Sequence, residues 1–181
     1  MVMLKLSTTL YNVPIFSLRT GLQIGTATKP LINPQNLKIE AWFAESKFDT
    51  GLLLLPTSEI REVSRQGIAV NDQTAITPAE DLVRMAQLIQ LDFQLLSKKV
   101  FSEDKLPLGK VADYATDLES FYIQRLFINP GAIRQLTTKQ RIISRVQITE
   151  ITNKKIVVKD TEVTVSSPFF FRPRPAPAPE A

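Results

Sequence analysis

Leu37-Lys38-Ile39-Glu40-Ala41-Trp42-Phe43 and Phe121-Tyr122-Ile123-Gln124-Arg125-Leu126-Phe127 are two versions of one segment, set 84 residues apart. The likeness extends along the chain in both directions. Ile24-Gly25-Thr26-Ala27 meets Leu108-Gly109-Lys110-Val111 at the same offset, and Val13-Pro14-Ile15-Phe16-Ser17 meets Lys98-Lys99-Val100-Phe101-Ser102 at 85. Downstream the offset becomes 88, where Leu54-Leu55, Ile60, Val63, Ile68 and Val70 meet Ile142-Ile143, Ile148, Ile151, Ile156 and Val158. The drifts fall in predicted loops, and so many apolar positions kept in order mark a duplication.

Each copy reads as β. Short runs rich in Ile, Val, Leu and Phe are separated by Gly, Asn, Asp or Ser turn signals. Leu37, Ile39, Ala41 and Phe43 alternate with Lys38, Glu40 and Trp42, the period-2 pattern of a half-buried strand. In the second copy Phe121, Ile123 and Phe127 take the apolar face, and Arg125 interrupts it, marking a bulge or a strand end. Gly21, Gly25, Gly67 and Gly109 read as turn geometry, with no phosphate-loop spacing among them.

Between the copies lies the strongest helical signal. Thr77 suits an N-cap, Pro78 the first helical position, and Glu80 and Asp81 the positive end of the helix dipole. Leu82, Met85, Ala86, Ile89, Phe93 and Leu96 recur at helical spacing, widened by Leu88, Leu91 and Leu95. So broad a stripe predicts a helix buried against both repeats, or against one repeat and a second molecule. The expected organisation is residues 1–76 as a first barrel, 77–97 as a connecting helix, 98–165 as a second barrel and 166–181 as a Pro-rich tail.

These residues resemble the PRC-barrel domain family. The likeness rests on an apolar-Phe-Ser opening, [IL]-G-x-[AV] after the first hairpin, Leu55-Pro56, Ile60-Arg61-Glu62-Val63 and a closing Ile68-Ala69-Val70, each doubled in the second copy. The resemblance implies a mainly β fold: two small antiparallel β-barrels in tandem, joined by one amphipathic helix. That family includes the cytoplasmic domain of the photosynthetic reaction centre H subunit and the C-terminal domain of a ribosome maturation factor. It is not known as catalytic, so no catalytic residue carries over, and neither relative's own task transfers.

Composition narrows the chemistry. With 181 residues, 44% hydrophobic and 22% charged, the chain supports a packed core. No stretch approaches a membrane span, and Met1-Val2-Met3-Leu4-Lys5-Leu6 lacks the long apolar segment of a signal peptide, which predicts a cytoplasmic protein. Zero cysteine and zero histidine remove disulfides, thiolate nucleophiles, Ser-His-Asp triads and His-based metal centres. Three carboxylate clusters remain. Glu80-Asp81 fits a helix start and Glu103-Asp104 a hairpin turn, while Asp113-Asp117-Glu119 lacks calcium-loop order. No cofactor, metal or catalytic role is expected.

Binding is the better expectation, and three places carry it. Trp42 and Leu126 hold the same repeat position, opposite the apolar stripe, and with Tyr122 form a candidate partner surface. The alternative is that this face packs the connecting helix. Residues 1–90 carry eight basic and eight acidic side chains, whereas residues 91–181 carry fourteen and ten. Arg134, Lys139, Arg141, Arg145, Lys154, Lys155 and Lys159 stand against Glu150 alone, a candidate basic patch for RNA or a ribosomal component, or else a solvated face guarding strand edges. Phe169, Phe170, Phe171, Arg172 and Arg174 make a candidate docking tail before alternating prolines that favour extended structure. The expected function is a non-catalytic protein-binding scaffold, with an RNA- or ribosome-associated assembly factor as the alternative.

Overall fold

The computed structural model describes residues 4–130 and 141–159. In chain order the strands are β1 (Leu4–Leu6), β2 (Val13–Ser17), β3 (Gln23–Asn33), β4 (Lys38–Ser46), β5 (Leu53–Pro56), β6 (Ile60–Val63), β7 (Ile68–Val70) and β8 (Thr77–Pro78). Helix α1 (Val83–Leu91) follows, then β9 (Lys99–Ser102), β10 (Pro107–Asp117), β11 (Ile123–Asn129), β12 (Arg141–Ser144), β13 (Ile148–Ile151) and β14 (Lys155–Val158). The described residues are mainly β, in two seven-stranded sheets.

The sheets repeat one another. The first runs β6-β7-β2-β3-β4-β5-β8, and the second β13-β14-β9-β10-β11-β12 with β1 added to β10. Each contains one parallel pair at the same place, Ile15 beside Ile68 and Val100 beside Ile156. Irregularities also coincide: the β3–β4 register slips between Ala27 and Lys29 and between Leu31 and Ile32, and β10–β11 slips 84 residues later at Val111/Asp113 and Ala115/Thr116. A bulge is a local device that redirects a strand, so its recurrence at matching positions is stronger evidence of duplication than shared apolar residues. In each copy the outermost core strands are consecutive in the chain, joined only by a 3-10 turn, Thr57–Glu59 or Arg145–Gln147. Three residues span no more than roughly 10 Å, so each sheet curls back toward itself, barrel-like.

The two sheets share one core. A single cluster of buried apolar side chains takes in Ile15, Ile39 and Trp42 from the first and Val100, Leu126 and Ile143 from the second. At the seam the backbones pair reciprocally. Ile39 N donates to Phe121 O at 2.9 Å, and Ile123 N donates to Leu37 O at 2.8 Å. Leu37 and Phe121 hold φ of 53° and 61°, left-handed values that cost a side-chain-bearing residue roughly 1 kcal/mol or more. Residue i bonding j′ while j bonds i′ is the pattern of a two-fold contact. β1, expected with the first repeat by chain position, instead pairs with β10 of the second.

The helix departs most from expectation. Thr77 and Pro78 form β8 against β5 rather than a cap, and α1 covers only Val83–Leu91. Asp92, at φ 39°, ends it in the left-handed region, and the chain then turns Phe93 and Leu95 into the shared core. Burying those two side chains offsets the lost helical turns. None of the residues of α1 is fully buried: Met85, Leu88 and Ile89, with Leu82 just before the helix, lie half-buried on Leu31, Ala41 and Leu54 of the first sheet's outer face. The helix therefore covers one repeat rather than bridging two.

Candidate functional site

Trp42 and Leu126 are core residues, 1% and 0% exposed, which corrects their reading as a partner surface. The reason is a single bulge. Between Ile32↔Ile39 and Leu31↔Ala41, Glu40 is the extra residue, and a one-residue insertion exchanges the two faces of everything beyond it. Trp42 and Ala44 turn inward, while Phe43 turns out toward the helix. Gln124 repeats the device, sending Leu126 inward and Arg125 to solvent. What Trp42 meets is the other repeat: its ring lies edge-on to Phe121 at 5.8 Å between centroids, and its Nε1 donates to Leu10 O at 2.9 Å. Tyr122 is half-buried at the same seam, with the Arg145 guanidinium 4.2 Å and the Lys38 ammonium 5.8 Å from its ring centroid. Those cations occupy its faces.

Tyr114 is fully buried in the shared core, and its hydroxyl has no partner in hydrogen-bond geometry among the described residues. Burial, reinforced by Tyr11 and Asp113, pushes its phenol far above the ordinary 10.0. The fold therefore holds the neutral form. Below pH 10 both states are protonated and stability is intact; above it the unfolded phenol ionises while the folded one does not, and stability falls. The unfolding free energy is expected to lose about 1.4 kcal/mol more between pH 9 and 11 in the native chain than in Tyr114→Phe. Equal losses in urea titrations of the two would show that the phenol ionises within the fold.

Of the candidate carboxylates, Asp113 and Asp117 are held by hydrogen bonds. Asp113 accepts from Ser7 Oγ and from the Ser7 and Tyr114 amides. Asp117 accepts from Glu119 N and Ser120 Oγ in the turn before β11. Glu80 and Asp81 lie in the 3-10 turn before α1, and Glu103 and Asp104 between β9 and β10. No metal-holding group of three or more such side chains occurs among the described residues, and none of their helices is long and apolar enough to cross a membrane.

The expected basic patch is dispersed. Arg134 and Lys139, like Phe169, Phe170, Phe171, Arg172 and Arg174, lie outside the described residues. Arg141 begins β12, while Lys159 follows β14 and donates its amide to Gln147 O in the turn that Arg145 opens, at the other end of β14 from Lys154 and Lys155. Arg145 is engaged with Tyr122. Lys154 and Lys155 are exposed at the β13–β14 turn, and there the sheet assembles a different cluster. Lys155 pairs in register with Lys99, and Lys99 with Lys110, so three exposed lysines form one row across β14, β9 and β10. No ion pair among the described residues engages them. Like charges directly opposite oppose strand pairing by a few tenths of a kcal/mol to about 1 kcal/mol. Nearby Lys98 donates to Asn153 O at 2.6 Å and lies 4.5 Å from the Phe93 ring centroid; burial lowers its pKa.

The matching row in the first repeat is Pro14, Thr26 and Gly67, without charge. That repeat exposes apolar side chains instead. Leu22 and Phe48, 67% and 59% exposed, flank a groove of about 310 Å³ with Ile24, Arg19, Lys47 and Asp72. Arg19 is paired with Asp72 at 3.6 Å, whereas Lys47 has no ion-pair partner among the described residues. No protein-family model matches the chain, and no curated protein is significantly similar to it.

Proposed function

We propose that the chain is a non-catalytic scaffold of two PRC-barrel-like halves, fixed back to back, that holds a protein partner at the first repeat. The Leu22–Phe48 groove carries this reading: exposed apolar anchors beside an ammonium with no ion-pair partner among the described residues suit a segment presenting an apolar side chain next to a carboxylate. The barrel-like curl and common strand order support the family likeness, and the shared core supplies a rigid frame on which the two repeats display different surfaces. Affinity purification with native chain and with a Leu22→Asp/Phe48→Asp variant tests it. One stoichiometric protein should be retained by the native chain after nuclease treatment, and recovered about tenfold less by the variant. Equal recovery by both, or recovery that nuclease abolishes, overturns the reading.

A second reading, association with RNA or an RNA-containing assembly, is favoured by one observation, the lysine row of the second repeat.

A further inference from the structure

The lysine row has a companion on its own face. Side chains two apart on a strand share a face, so the next row beyond Lys99 is Phe101, flanked by Pro107 on β10 and Val157 on β14. Val100 and Ser102 point into the core, which leaves Phe101 on the outer side, half-buried. Strands lie about 4.8 Å apart, so Lys110, Lys99 and Lys155 span about 10 Å in one line, and their long flexible arms extend that reach to successive phosphates of one strand. We infer that this face binds the backbone of single-stranded nucleic acid, the three ammonium groups against successive phosphates and the Phe101 ring beneath a base.

The inference rests on the second reading above and supplies its residues and its ligand class. Lysines are point charges suited to phosphate without sequence readout, and an aromatic side chain beside a cationic track is the arrangement that holds single strands. An anionic membrane would call for an apolar face that inserts among lipids, yet Phe101 and Val157 are both half-buried. An acidic peptide would leave the ring without a role. Strand-pairing repulsion in the row, which no ion pair among the described residues relieves, is what a surface kept for an external polyanion would show.

Fluorescence anisotropy of the full chain with a labelled, unstructured 15-nucleotide RNA tests it, from 25 to 200 mM salt. Replacing Lys99, Lys110 and Lys155 with Gln is expected to weaken binding about tenfold or more at 50 mM salt. It should also flatten the log–log salt slope by about 2, the loss of three phosphate contacts on a single strand. Phe101→Leu keeps the apolar bulk, and should weaken binding about fivefold while leaving the slope unchanged. A charge-matched control, Arg61→Gln/Arg65→Gln/Arg84→Gln, should retain native binding. Single-stranded DNA of the same sequence distinguishes a general phosphodiester track from one that also uses the ribose hydroxyl. The inference is overturned by no binding at 25 mM salt, by equal losses in the control, or by tighter binding to phosphatidylserine vesicles or poly-glutamate than to either nucleic acid. Because this assay uses purified protein and defined RNA, its failure leaves the Leu22–Phe48 test standing, and the reverse also holds.

Discussion

Trp42→Ala is expected to unfold both repeats at lower denaturant, in one transition. The indole is among the largest fully buried side chains, and removing it empties space at the seam. Large aromatic truncations in a core cost about 3–5 kcal/mol, from lost transfer energy and the residual cavity. The Leu10 carbonyl also loses its Nε1 donor, and Phe121 its edge contact. For a chain of this size each kcal/mol lowers Tm by roughly 2–4 °C, so a fall of about 6 °C or more should appear in thermal melts. Cooperativity is the discriminating feature. Ile39 and Leu37 are bonded to the backbone of the second repeat, and Trp42 shares a core cluster with Leu126 and Ile143. Faster hydrogen exchange should therefore reach β10 and β11 as well as β3 and β4. Protection lost in the first sheet alone would mean two independent cores, and the back-to-back frame would have to be abandoned.

The residues that reveal the duplication are the ones that mislead about its surface. Apolar identity survives at matched positions because both copies fill one interior, so the repeat and the β class are legible from Ile15, Ile39, Ile68 and their partners. Which way Trp42 faces is a different kind of information. It depends on whether Glu40 is paired or extruded, and nothing in the local sequence distinguishes those states except the odd placement of Arg125 in the second copy. The helix shows the same division. Its apolar stripe is real, but Phe93 and Leu95 belong to the shared core rather than to a helical face, and periodicity cannot see where a chain leaves the helix. The lysine row is harder still. Lys99 and Lys110 meet across an antiparallel hairpin, and Lys155 joins them only through a parallel pairing across more than fifty residues, so a count of charges along the chain finds Lys155 and misses the other two.

Gly25 and Gly109 supply the sharpest stability test, because they share a repeat position and differ in backbone. Neither is the turn residue that its sequence setting predicts: Gly25 lies within β3 and Gly109 within β10, each beside a bulge. Their common requirement is close approach of a neighbouring strand. A Cβ at Gly109 would stand 2.0 Å from the Asn129 carbonyl oxygen, and one at Gly25 would stand 2.3 Å from that of Glu45. Both obstacles are backbone of the adjoining strand, which cannot swing aside as a side chain would. Overpacking of this kind costs about 1–3 kcal/mol, occasionally more. Gly109 carries a second penalty, since its φ of 138° is rarely adopted by a residue with a side chain, adding about 1–3 kcal/mol. Gly21, by contrast, has φ of 71° and open space, so alanine there meets only the left-handed strain of about 1–2 kcal/mol. Urea midpoints of the three alanine variants should therefore fall in the order Gly21 mildest, Gly25 intermediate and Gly109 most severe. In Gly109→Ala the damage should spread from β10–β11 into the shared core. Should Gly109→Ala unfold no more readily than Gly21→Ala, the tight β10–β11 approach would be wrong, and with it the matched bulges on which the equivalence of the two repeats rests.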